Sequence, residues 1–68
     1  MNNLTLTQKQ YLASFCKSGG KVTEVAYNPT TVGINGGTST PEADAIAAGY
    51  TQYYKESSTY LIEVIYTK

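Results

Sequence analysis

Thr59-Tyr60-Leu61-Ile62-Glu63-Val64-Ile65-Tyr66-Thr67 is the stretch whose reading decides the fold. Its β-branched and aromatic side chains, with no Gly or Pro among them, predict a β-strand. Alternation puts Tyr60, Ile62, Val64 and Tyr66 on one face and Leu61 and Ile65 on the other, where Glu63 alone interrupts. A strand with one wet face alternates more cleanly, so both faces of this one are expected to be covered. Two arrangements achieve that. Either the strand is central and sandwiched by its own chain, or its outer face meets another subunit.

Ser57-Ser58 separates this strand from an earlier run at helical spacing, Ala43, Ile46, Ala47, Tyr50, Tyr53 and Tyr54. The run predicts a second helix with one apolar stripe. Ser39 or Thr40 caps it, Pro41 suits its first turn, and Glu42 and Asp44 place negative charge where the dipole favours it. Gly49 either weakens its middle by roughly 1 kcal/mol relative to Ala or marks a close contact.

Before that helix, residues 33–40 form a polar Gly-rich loop, and Val32 to Ile34 can return beside an earlier strand. That strand runs from Lys21 to Tyr27, with Val25 and Tyr27 on one face and Val22 and Ala26 on the other. Asn28-Pro29-Thr30-Thr31 has the residues of a type I turn. The first helix is expected over residues 7–18. Thr7 and Gln10 supply a capping box, Leu6 and Tyr11 a hydrophobic staple, and Gly19-Gly20 the stop. Tyr11, Leu12, Phe15 and Cys16 form its stripe, and Lys17 favours the dipole in its last turn. The expected architecture is α+β, with two helices on one face of a small sheet of two to four strands. If Leu4 to Leu6 is a strand as well, the order becomes βαββαβ, the ferredoxin-like arrangement.

A chain of 68 residues makes one domain and buries a modest share of its surface. With one cysteine and no histidine, it has no intramolecular disulfide and no ordinary zinc ligand set. Self-association is the remaining source of outside support. The five lysines balance five acidic residues, and arginine is missing. Lys9, Lys17, Lys21, Lys55 and Lys68 are scattered, which argues against an electrostatic grip on nucleic acid. No apolar run approaches the ~20 residues that span a bilayer, and a cytoplasmic location is the default expectation.

The same inventory argues against an enzyme. Without histidine, no Ser-His or Cys-His pair forms within the chain. Cys16 sits on an apolar stripe beside Phe15 and is expected to be a buried small hydrophobe. No two carboxylates have a compelling acid-base spacing. The Gly-rich segment before the second helix lacks the lysine of a phosphate loop, and Glu42 and Asp44 would repel a phosphate there. No catalytic residue, metal or cofactor is expected.

Seven tyrosines beside one Phe and no Trp are the distinctive feature. Tyrosine supplies nearly all the large aromatic area, and its rigid ring with a polar tip suits both core edges and interfaces. The interface candidates are Tyr50, Tyr53, Tyr54, Tyr60 and Tyr66, with Asn35 in a loop free enough to make contacts. A small accessory protein that binds another protein, or a copy of itself, is the expected function. Sequence-tolerant binding of single-stranded nucleic acid by tyrosine stacking is the alternative, though it lacks the electrostatic half of such a site.

Residues 4–23, Leu-Thr-Leu-Thr-Gln, then a helix ending near Phe15, then Gly19-Gly20-Lys21-Val22-Thr23, resemble the opening of many short bacteriophage proteins of unknown function. Their common pattern is a capped helix followed by Gly-Gly-Lys-Val-Thr and a strand. The resemblance implies a phage origin and carries over no functional residue.

Overall fold

The computed structural model describes residues 3–31 and 41–68. Within them the chain is α+β, with helices α1 (Leu6–Lys17) and α2 (Pro41–Ala47) and strands β1 (Val22–Tyr27), β2 (Thr51–Ser57) and β3 (Ile62–Thr67). Residues 32–34, expected as a short strand, and the loop that follows, with Asn35, lie outside the described residues.

Both helices end the same way. Gly19 N–H donates to Cys16 O and Gly20 N–H to Phe15 O, while Gly49 N–H donates to Ile46 O and Tyr50 N–H to Ala45 O. These are Schellman motifs, which need a left-handed residue just past the helix, and Gly19 and Gly49 take it at φ 91° and 93°. Gly49 is therefore a stop signal. The expected second helix is corrected by it: Tyr50 lies beyond the helix, and Tyr53 and Tyr54 belong to a strand.

Helix α1 starts one residue earlier than expected, and its cap lies two residues earlier than Thr7. Thr5 is the N-cap, its Oγ1 accepting from Gln8 N–H at 3.1 Å while Gln8 Oε1 accepts from Thr5 N–H at 2.9 Å. The reciprocal capping box is thus Thr5 with Gln8, and Leu6 is helical, so Leu4 to Leu6 forms no strand. The βαββαβ order is not what the described residues form.

The sheet order is β1-β3-β2, both pairings antiparallel. Strands β1 and β2 therefore run parallel to each other, linked through α2, with β3 inserted between them: a split βαβ unit. The turn from β2 to β3 is tight, Ser58 N–H and Oγ both donating to Leu61 O at 2.9 and 3.0 Å. Central β3 holds the core, with Val64 at 0%, Tyr66 at 1% and Ile65 at 4% exposure. Its two-faced pattern is explained by a central position within its own chain. Burying side chains of this size stabilises by about 1.5–3 kcal/mol each.

Register assigns the faces. Val25 and Lys55 flank Val64 on the first face, and Glu24 and Tyr54 flank Ile65 on the second. Helix α2 lies over the first face, where Glu42 meets Tyr27 and Lys55. The α1 segment lies over the second: Asn3 donates to Glu56, and Tyr11 stacks on Tyr53. The expectation of both helices on one face is corrected accordingly. One helix covers each side of β3, which is why residues of both parities are buried.

Candidate interaction surface

The helices expose part of what the sequence expected them to bury. On α1 the inward positions are Gln8, Leu12 and Phe15, spaced four and three residues apart, while Cys16 faces solvent. The expectation of a buried Cys16 is overturned. On α2 the inward positions are Pro41, Glu42 and Ala45, and the apolar stripe of Ala43, Ile46 and Ala47 points outward. A tight polar tie explains that choice. Glu42 takes a hydrogen bond from Tyr27 Oη at 2.8 Å on β1 and from Lys55 Nζ at 3.0 and 3.2 Å on β2.

This bridge spans β3 and pins the short helix by its first turn. Hydrogen bonds from Lys55 and then from Tyr27 hold the Glu42 carboxyl below the usual carboxylate range. The Tyr27 hydroxyl moves up, first through burial and then through its bond to that carboxylate. Burial likewise raises Tyr66, which lies under the bridge. At the other end of α2, Lys68 Nζ donates to Ala48 O at 2.8 Å and sits 5.4 Å from the centre of the Tyr50 ring.

The second face carries a row of carboxylates. Glu56 stands directly opposite Glu63, and Glu24 on β1 is a near neighbour of Glu63 on the same face. Desolvation first, then interaction with the Glu24 carboxyl, pushes the Glu63 carboxyl up. No group of three or more His, Cys, Asp or Glu among the described residues is placed to hold a metal ion.

The candidate tyrosines disperse. Tyr53, the extra residue of a bulge in β2, lies 5.1 Å from Tyr11 at an interplanar angle of 8°, and Tyr11 lies 6.1 Å from Phe15. The three rings form a ladder, with Tyr11 in the middle. Tyr54 is half-buried beside Ile65, and Tyr50 is half-buried under Lys68. Tyr66 is corrected from interface candidate to core residue, because packing beneath α2 leaves it 1% exposed. Tyr60 does face solvent, at 70%, on the tip between β2 and β3 with Leu61 at 44% beside it.

Tyr11, Leu6, Ile46 and Leu61 are exposed groups that the sequence reading did not single out as contacts. For Ile46 a signal existed: Gly49 followed by Tyr50-Thr51-Gln52-Tyr53 reads as a helix stop feeding a strand. Among the described residues no helix is long and apolar enough to cross a membrane. No family model, curated protein or solved structure matches this chain.

Proposed function

We propose that this chain is a small non-enzymatic accessory protein, phage-encoded and acting in the host cytoplasm, whose work is contact with a host or phage protein. One observation carries the reading. Among the described residues, five large apolar side chains are exposed, Leu6, Tyr11, Ile46, Tyr60 and Leu61, against three core residues, Val64, Ile65 and Tyr66. Scattered single apolar groups are ordinary on a surface. Adjacent Tyr60 and Leu61 on a tight hairpin tip are a different case, an anchor of the aromatic and aliphatic kind that dominates binding energy, rimmed by Ser57, Ser58 and Thr59. The capped α1 feeding Gly19-Gly20-Lys21-Val22-Thr23 supports the phage origin.

Contact with protein is preferred over base stacking because several of the groups that stacking would use are already engaged within the chain. Tyr11 and Tyr53 cover each other, Lys55 is held by Glu42, and Lys68 by Ala48 and Tyr50. The test is affinity capture from host lysate with the wild-type chain and with a Tyr60→Ser/Leu61→Ser variant. A protein retained by the first and lost by the second is the expected result. An identical set of captured proteins, or salt-sensitive binding of labelled single-stranded oligonucleotides, refutes the proposal.

A further inference from the structure

The two edges of the sheet differ. Strand β2 is defended against pairing with another chain: it is broken by the Gln52/Tyr54 bulge and carries Lys55 and Glu56. Strand β1 is regular, pairing with β3 at every residue from Val22 to Tyr27, and it contains neither lysine nor proline. Among the described residues no strand pairs with its outer side.

Which backbone groups that edge offers follows from one pair. Lys21 and Lys68 exchange both N–H to O bonds, at 3.0 and 2.9 Å, so they are a hydrogen-bonded pair of the antiparallel ladder. Antiparallel pairs alternate, so Thr23, Val25 and Tyr27 also turn their N–H and C=O groups toward β3. Those of Val22, Glu24 and Ala26 point away from it.

We propose that this edge pairs with β1 of a second copy of the chain, antiparallel about a two-fold axis normal to the sheet that passes midway between the two copies of Val25. A two-fold normal to the sheet keeps like faces together, so only residues of the same parity meet. Two registers then engage five of the six strand residues. One sets Glu24 directly against its own copy, and like charges directly opposite destabilise a pair. The other sets Val25 against Val25, Thr23 against Tyr27, and Glu24 against Ala26. In that register the outward groups of Glu24 and Ala26 bond each other twice across the axis, and no like charges face. The result is a continuous six-stranded sheet that gives this small core the oligomeric support it otherwise lacks. The surface is distinct from the Tyr60–Leu61 tip, so either proposal stands if the other fails.

Register-specific disulfide trapping tests it, in a Cys16→Ser background so that the exposed native thiol does not interfere. In the proposed register Glu24 and Ala26 of the two copies form hydrogen-bonded pairs with Cα atoms ~5.5 Å apart, within disulfide reach. Mild oxidation of a mixture of the Glu24→Cys and Ala26→Cys chains is expected to give a covalent dimer joining one of each. Each variant alone is expected to stay uncrosslinked. Light scattering on the untouched chain should give twice the 7.4 kDa mass. Crosslinking of Glu24→Cys with itself overturns the register. A concentration-independent monomer overturns the dimer, and slow exchange of the Glu24 and Ala26 amides in that monomer would show the chain's own residues covering the edge.

Discussion

Gly20 is the position where one methyl group has the largest calculable consequence. A Cβ built there lies 2.2, 2.3 and 2.7 Å from Cε1, Cδ1 and Cζ of Phe15, so the ring lies flat on the glycine. Gly20→Ala must turn that ring away, and with it goes the Phe15 end of the ladder to Tyr11. Overpacking of this kind costs about 1–3 kcal/mol, and a lost aromatic pair adds about 0.5–1.5 kcal/mol. Against a total of roughly 3–10 kcal/mol for a chain of this size, a cost of about 2 kcal/mol is large. It should lower the thermal midpoint by roughly 8–16 °C. Gly19→Ala is the control. Nothing lies within 4 Å of its added Cβ, so only the left-handed backbone at φ +91° is penalised, by about 1–2 kcal/mol. Urea denaturation followed by circular dichroism, run as a cycle with Phe15→Ala, separates clash from backbone. If the ring is the obstacle, Phe15→Ala/Gly20→Ala costs little more than Phe15→Ala alone, a coupling of about 1–2 kcal/mol. Additivity within about 0.5 kcal/mol refutes the steric argument.

The titrating groups predict opposite pH trends. The folded Glu42 carboxyl sits below its ordinary value of 4.5, so its contribution is complete above that pH and is lost as pH falls through the folded value. Glu42→Gln should cost about 0.5–1 kcal/mol at pH 7 and flatten the acid limb of a urea-midpoint profile; parallel profiles for both chains would contradict the bridge. Glu63 is raised, so its stabilising effect is full below 4.5 and disappears as pH rises through the folded value. Glu63→Gln should therefore raise the thermal midpoint at pH 7 and leave it unchanged near pH 3, an ordering that differential scanning calorimetry resolves. Tyr60→Ser/Leu61→Ser should change stability by less than about 0.5 kcal/mol, since both side chains face solvent, while abolishing partner capture.

Local signals in the sequence were legible where one interaction decided the outcome. Gly19-Gly20 stops α1, Lys21 to Tyr27 holds β1, and Asn28 makes its turn, Oδ1 accepting from Thr30 N–H at 2.9 Å. The central, two-faced character of β3 was also readable from Ile62 to Tyr66. Strand β2 was not, because Tyr50, Tyr53 and Tyr54 continue the spacing of Ala43, Ile46 and Ala47. Periodicity alone cannot tell that continuation from a new element. Backbone chemistry can, because Gly49 at φ 93° ends the helix whatever the spacing beyond it. The orientation of α2 was hidden for a different reason. Its apolar stripe favours burial, but Ala43 and Ala47 offer little area, and Glu42 satisfies groups on two strands at once.

Moving Tyr53 and Tyr54 from a helix to a strand, and Tyr50 to the turn before it, changes what they can do. On a helix, Tyr50, Tyr53 and Tyr54 would share a side and could meet one partner together. A strand with a bulge sends them apart: Tyr50 to Lys68, Tyr53 to Tyr11, and Tyr54 to the flank of Ile65. Each then has an intramolecular reason to be aromatic, and their number ceases to argue for a binding face. The argument for contact passes to Tyr60, because its exposure has no such explanation. Its backbone sits in a turn fixed by the Ser58 bonds to Leu61 O, so the ring is held out from the sheet by a short rigid connection. An aromatic group presented that way loses little conformational freedom on binding, which is what makes one residue sufficient as an anchor.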